Sequence, residues 1–146
     1  MPDFKYISSE MAARYSNAPD YPEIAKRALA QMVKQTGDAK FDEREMMKRG
    51  VIVRHLILPG HIKESKEAIR YLYETYGDQI YISIMNQYTP MPGIEKRFKN
   101  LGRTITQKEY DEVVDYAIDL GVENGFIQEG ETAKESFIPQ FDDTGL

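Results

Sequence analysis

The chain has 146 residues, 41% of them hydrophobic and 29% charged, which is the composition of one globular domain with room for a substantial core. Its formal charge of −5 and the absence of any Lys/Arg run longer than two argue against nucleic acid or an anionic membrane surface as the main partner. Cysteine is absent and histidine occurs only at 55 and 61, which excludes disulfides, thiolate nucleophiles and cysteine-held clusters in this chain and disfavours a histidine metal site.

Residues Pro2 to Tyr6 read as the end of a strand. A short polar helix is expected from Ser9 to Tyr15. Asp20 and Glu23 have capping-box spacing with Pro22 in the first turn, and Ile24, Ala28, Leu29, Met32 and Val33 recur at helical period until Gly37. The charged stretch from Asp38 to Gly50 reads as a loop or small hairpin. Val51 to Leu58, closed by Pro59-Gly60, reads as a buried strand. A helix from Ser65 to Tyr76, stopped by Gly77, and a strand from Ile80 to Met85 come next. After a Pro-rich loop, Thr106 and Glu109 repeat the capping-box spacing before a helix that ends at Gly121. A last strand, Gly125 to Gln128, leads into a polar run from Glu129 to Ser136 and an irregular tail.

Strands alternating with helices imply right-handed crossovers, so an α/β fold with about four parallel strands under covering helices is expected. No apolar stretch approaches the roughly 20 residues that span a bilayer, and no signal-peptide pattern is read at the N-terminus, so cytoplasm is the expected location. The chain opens inside an expected strand, and four strands are too few for a closed barrel. The expectation is therefore a small open sheet or a piece of something larger, prone to self-association through the apolar edge at Pro2 to Tyr6.

Ligands of parallel α/β folds sit beyond the C-terminal strand ends. There the sequence offers Asp3 and Lys5, Arg54 and His55, Asn86, Gln87 and Tyr88, then Gln128 and Glu129. Lys5 and Arg54 suit a carboxylate or phosphate; the alternative for Lys5 is an ion pair with Asp3. His55 points opposite Arg54 and reads as a satisfied packing residue. Asn86 to Tyr88 has the alternative of plain loop chemistry before Pro90. For Gln128 and Glu129 the alternative is capping of a helical segment after them.

The strings Asp3-Phe4-Lys5-Tyr6, Arg49 through Gly60 (RGVIVRHLILPG), Met85-Asn86-Gln87-Tyr88 and Asn124 through Gly130 (NGFIQEG) resemble radical S-adenosylmethionine proteins, in the branch similar to pyruvate formate-lyase activating enzymes. The resemblance runs the length of the chain and covers the C-terminal half of that family's domain. It implies a partial (βα) barrel, TIM-barrel-like, whose N-terminal half carries a Cys-x3-Cys-x2-Cys loop. That loop holds a [4Fe–4S] cluster, and the cluster and S-adenosylmethionine together yield a 5′-deoxyadenosyl radical. The implied partner is a glycyl radical enzyme or another protein substrate. Asp3 and Lys5 match the family's Asp-x-Lys strand end beside the cofactor, and Arg54 the strand arginine that helps hold it. Asn86 and Tyr88 fall in the third matching string, with Tyr88 where activating enzymes have a histidine near the adenosyl group. The cysteine motif is missing, so the expectation is a C-terminal portion, residues 1–146, that cannot bind the cluster and is inactive alone. The alternatives are a non-enzymatic α/β subunit that completes its sheet with a partner or by self-association, and a small hydrolase or binding module using Arg54, His55 and Glu129. The last ranks lowest because no Gly-x-Ser-x-Gly motif is present.

Overall fold

The computed structural model describes residues 1–37, 40–44, 47–129 and 134–137. In chain order the helices are α1 (Ser9–Ser16), α2 (Tyr21–Thr36), α3 (Ile62–Tyr76) and α4 (Gln107–Leu120). The strands are β1 (Lys40–Phe41), β2 (Met47–Arg49), β3 (Ile52–Leu56), β4 (Tyr81–Met85), β5 (Gly125–Glu129) and β6 (Lys134–Phe137). β1 and β2 form the small hairpin that the charged stretch allowed for.

The main sheet has the order β3-β4-β5-β6. β3, β4 and β5 are parallel, joined by α3 and then α4, as the alternation of elements required. The expected set of four parallel strands is thus three. Pro2 to Tyr6 contributes a single parallel bridge, Asp3 to Arg54, in which the Phe4 N–H donates to Arg54 O at 2.8 Å and the Arg54 N–H to Pro2 O at 2.9 Å. Beyond Phe4 the chain turns away because Glu64, buried in the first turn of α3, accepts the N–H groups of Ile7 and Ser8 at 2.6 and 2.9 Å. The stretch after Gln128, read as a polar run with a helical segment in the capping alternative and then a tail, instead supplies the strand β6, which pairs antiparallel with β5.

Alternation along β3 sorts its residues onto two faces. Val53, His55 and Ile57 are buried with Ile82 and Ile84 of the β4 strand against Ala68, Ile69 and Leu72 of α3 and Val113 and Ala117 of α4. Leu29 and Val33 of α2 join the same core. Arg54, Leu56 and Leu58 alternate with these and are half-buried, as are Tyr81, Met85 and Phe126. Among the described residues, helices therefore cover one face of the sheet and not both.

The two capping-box spacings fold differently. Thr106 is extended (φ −86, ψ 159), so its hydroxyl accepts from the Glu109 N–H while Glu109 accepts from the Thr106 N–H. Asp20 has ψ 0, outside the extended region, and makes no side-chain cap; Glu23 pairs with Arg27 at 3.4 Å instead. Glu109 is also a hub. Its carboxylate accepts from the two terminal Arg103 guanidinium nitrogens, Nη1 at 2.7 Å and Nη2 at 3.0 Å, and from the Gly60 N–H at 2.9 Å, which ties the loop after β3 to the start of α4. The Arg103 hydrogen bonds hold the Glu109 carboxyl at about 2, against an ordinary value of 4.5.

A folded-state pKa below the unfolded one means that the contribution of Glu109 to stability is present above about pH 4.5 and is lost as pH falls toward 2. Glu109→Gln is expected to cost about 1–3 kcal/mol at pH 7, measured by urea unfolding, through loss of the charge-assisted bonds. The gap between wild type and variant should narrow at pH 3.

Candidate functional site

Asp3, Lys5, Arg54 and Tyr88 line one cleft of about 240 Å³, together with Phe4, Tyr6, Leu56, Leu58 and Met85. The strand pleat places them: Asp3 and Lys5 share a face of the N-terminal segment, and Arg54, Leu56 and Leu58 share the face of β3 turned away from the helices. Met85 lies beside Leu56 in the register of β4. Asn86 comes directly after it and is half-buried, but it is not among the cleft's lining residues.

The charges sort in a way the sequence left open. Asp3 pairs with Arg54, Oδ1 to Nε at 2.7 Å, with both side chains about 40% exposed (38% and 42%). The alternative pairing of Lys5 with Asp3 is not formed. Lys5 is exposed at the cleft, and among the described residues no carboxylate pairs with it. Tyr88 closes one end: its hydroxyl donates to Leu101 O at 2.7 Å, and burial raises its pKa above the ordinary 10.0.

Behind the cleft, His55 is buried and its two ring nitrogens are both engaged. Nδ1 lies 2.8 Å from Phe4 O and Nε2 2.8 Å from Ser65 Oγ. A carbonyl can only accept, so Nδ1 carries the proton and Nε2 accepts from the hydroxyl. Burial drives the His55 pKa below 6.5, against the opposing pull of the Phe4 carbonyl and the Glu64 charge. His55 is thus the satisfied packing residue it was read as, and it fixes the segment that carries Asp3 and Lys5.

The edge at Pro2 to Tyr6 is occupied within the chain. The Tyr21 hydroxyl accepts from the Lys5 N–H and donates to Asp3 O, both at 3.0 Å, in place of a neighbouring strand. Strand-to-strand self-association at this edge would have to break both bonds.

A second polar group gathers at the C-terminal end of β3. Tyr15 Oη lies 2.6 Å from His61 Nε2, and Asn100 Nδ2 donates to Tyr15 Oη at 3.1 Å and to Pro59 O at 3.2 Å. Burial, and then the Arg14 charge, lower the His61 pKa and favour its neutral form. Sequence reading missed the group because its members lie 46 and 85 residues apart from Tyr15 and share no local pattern. Gln128 and Glu129 belong to β5, and their side chains lie outside the described residues. Among the described residues no group of three or more His, Asp or Glu side chains could hold a metal ion. No helix is long and apolar enough to cross a membrane.

Comparison with known proteins gives little to add. No family model matches the chain, and no solved structure matches it. It is similar to an uncharacterized protein of Methanocaldococcus jannaschii, 28% identical over 115 residues. The match takes in 79% of this chain and 30% of that protein, so the chain spans less than a third of this relative's length.

Ser65→Ala leaves the buried His55 Nε2 without its donor and is expected to cost about 1–3 kcal/mol by urea unfolding. A depressed histidine pKa means that the folded state binds fewer protons than the unfolded one below pH 6.5. Wild-type stability should therefore fall as pH drops below about 6.5.

Proposed function

We propose that this chain forms one wall of a radical S-adenosylmethionine domain, a partial barrel of the glycyl-radical-activating kind, and is catalytically silent alone. The observation that carries the reading is Lys5: an exposed cation at the mouth of a cleft floored by Leu56, Leu58 and Met85, with no carboxylate of its own among the described residues. An amino-acid headgroup needs a fixed cation for its carboxylate, and the stem behind it needs apolar surface. Lys5 supplies the first and the floor the second. The Asp3–Arg54 pair lines the same cleft.

The fit is partial, and its limits are informative. A cleft of about 240 Å³ falls below the roughly 300–1,000 Å³ of pockets that enclose drug-sized ligands. It suits the methionyl part of S-adenosylmethionine, and other polypeptide would have to enclose the remainder. The open sheet face, with Ile52, Tyr81 and Phe126 half-buried, is consistent with such a completing partner. A [4Fe–4S] cluster is held by thiolates, and this sequence has none, so the residues do not fit the cluster. Bound elsewhere in a complete domain, the cluster would supply the electron for cofactor cleavage; the residues here only bind and orient. The same open face favours the second reading, a non-enzymatic subunit that completes its sheet with a partner.

The test tracks the Met85 methyl group by NMR in methionine-labelled protein, assigned with Met85→Leu. Titration with S-adenosylmethionine is expected to shift it saturably in the millimolar range, and Lys5→Ala to weaken binding about 5-fold, the worth of one exposed ion pair. No 5′-deoxyadenosine should form with reductant. A Met85 signal unmoved at about 10 mM cofactor would favour the second reading; cleavage by the chain without added protein would refute both.

A further inference from the structure

The two histidines of the chain are held in opposite ways. His55 is buried with both ring nitrogens engaged, whereas His61 is half-buried and has one engaged. The His61 Nε2 meets Tyr15 Oη at 2.6 Å, and among the described residues Nδ1 has no partner. His61 stands at the N-cap of α3, yet its side chain makes no capping bond. The residue instead lines an open cavity of about 320 Å³, shared with Arg14 of α1 and Lys63 of α3. Both cations are exposed, and among the described residues no carboxylate pairs with either. Arg14 lies over the Tyr15 ring at 5.3 Å and the Phe98 ring at 5.9 Å, an arrangement that steadies the guanidinium and leaves its N–H groups for an oxyanion. Of the carboxylates in the cavity, Glu64 is taken up by the N–H groups of Ile7 and Ser8. Glu10 and Glu67 remain as exposed opposing charges. Arg14 is nonetheless the charge that acts most strongly on the ring, and with burial it favours the neutral form that carries a free lone pair.

We propose that His61 is a phosphoryl-acceptor site, its Nδ1 attacking a small activated donor, an acyl phosphate or a phosphoramidate, while Arg14 and Lys63 hold the phosphoryl oxygens. The Nδ1 lone pair forms the N–P bond as the bond from phosphorus to the leaving oxygen or nitrogen breaks, and that atom departs with the bonding pair. The Nε2 proton, directed at Tyr15 Oη, then passes to water and leaves a neutral phosphoimidazole. Nothing is oxidised or reduced. A hydroxyl suits both states of the ring, because it accepts from Nε2–H before transfer and donates to the bare Nε2 after it. A carbonyl, the partner of His55 Nδ1, serves only the first state. Tyr15 is itself steadied by Asn100, whose amide nitrogen also donates to Pro59 O and is thereby oriented.

The cavity lies beyond the C-terminal end of β3, on the side of a parallel sheet where ligands bind. Its residues are not those of the cleft at Lys5 and Arg54, so this inference goes beyond the cofactor reading and does not rest on it. The buried His55 serves as an internal control. With no cysteine and one accessible imidazole in the chain, a phosphoryl group found on nitrogen of a histidine reports His61 alone.

The experiment incubates the full chain, without cofactor, with phosphoramidate in one arm and acetyl phosphate in the other, near neutral pH. N-acetylhistidine is the reference imidazole. Intact mass and phosphorus NMR follow transfer, and peptide mapping locates it. The expected result is a single phosphoryl group at His61, formed from at least one donor about tenfold faster than on N-acetylhistidine. The two arms show whether the site takes an oxygen or a nitrogen leaving group. Replacing both Arg14→Ala and Lys63→Ala should bring the rate down about tenfold, the worth of two screened charges at the phosphoryl group. Glu10→Gln with Glu67→Gln should raise it, and Tyr15→Phe should lower it, each variant first shown to be folded by urea unfolding. A wild-type rate no faster than N-acetylhistidine with both donors would overturn the proposal without recourse to any variant. So would transfer mapped to another residue, or a rate indifferent to loss of the two cations. S-adenosylmethionine is absent throughout, so this reading and the Met85 titration fail separately.

Discussion

The position of every cleft residue on the N-terminal segment depends on one buried imidazole. His55 donates to the carbonyl of Phe4 and accepts from Ser65, so the segment, β3 and α3 are joined at a single side chain. A charged ring in that place would carry the cost of desolvation, which favours the neutral form at this node. Glu64 extends the same junction by holding the N–H groups of Ile7 and Ser8. Asp3 and Lys5 then project to the opposite face because side chains alternate along an extended chain. The polar chemistry at the front of the sheet is set by polar satisfaction at the back.

The sheet is consequently two-natured. On the helical side it is a tightly buried apolar layer, and on the other it keeps an intermediate character, with Leu56, Leu58 and Met85 beside an ion pair and a lysine. A parallel sheet usually has both faces covered. Here the second face is where binding is proposed, and it is the face whose residues satisfy neither a full core nor a solvated surface. Glu109 adds rigidity at the C-terminal end by linking Gly60, Arg103 and the cap of α4 through one carboxylate.

Element type and order were legible because they rest on local pattern. The apolar runs and Gly stops found α2, α3, α4, β3, β4 and β5 within a few residues. What failed was whatever backbone angle or tertiary partner decides. Asp20-x-x-Glu23 and Thr106-x-x-Glu109 look alike as strings, yet only the second has the extended cap residue that makes a box. Ile24 and Met32 keep helical period with Leu29 but sit on a different stripe, and period alone does not say which stripe meets the core. At the site, the placement of Asp3, Lys5, Arg54 and Tyr88 together came from strand ends converging. The choice of Arg54 over Lys5 as the partner of Asp3 did not, because it depends on the parallel pairing that sets Asp3 beside Arg54. Tyr15, His61 and Asn100 meet only through the fold.

The phenol of Tyr21 carries a consequence of its own. It offers the segment at Asp3 and Lys5 one acceptor and one donor, the same two functions that a neighbouring backbone would. A ring on a helix thus impersonates a strand. An amyloid-like seed recruiting this edge would have to unseat the ring before its first intermolecular bond could form, which raises the nucleation barrier without altering the sheet. A single oxygen atom serves as the gatekeeper of the fold's open side.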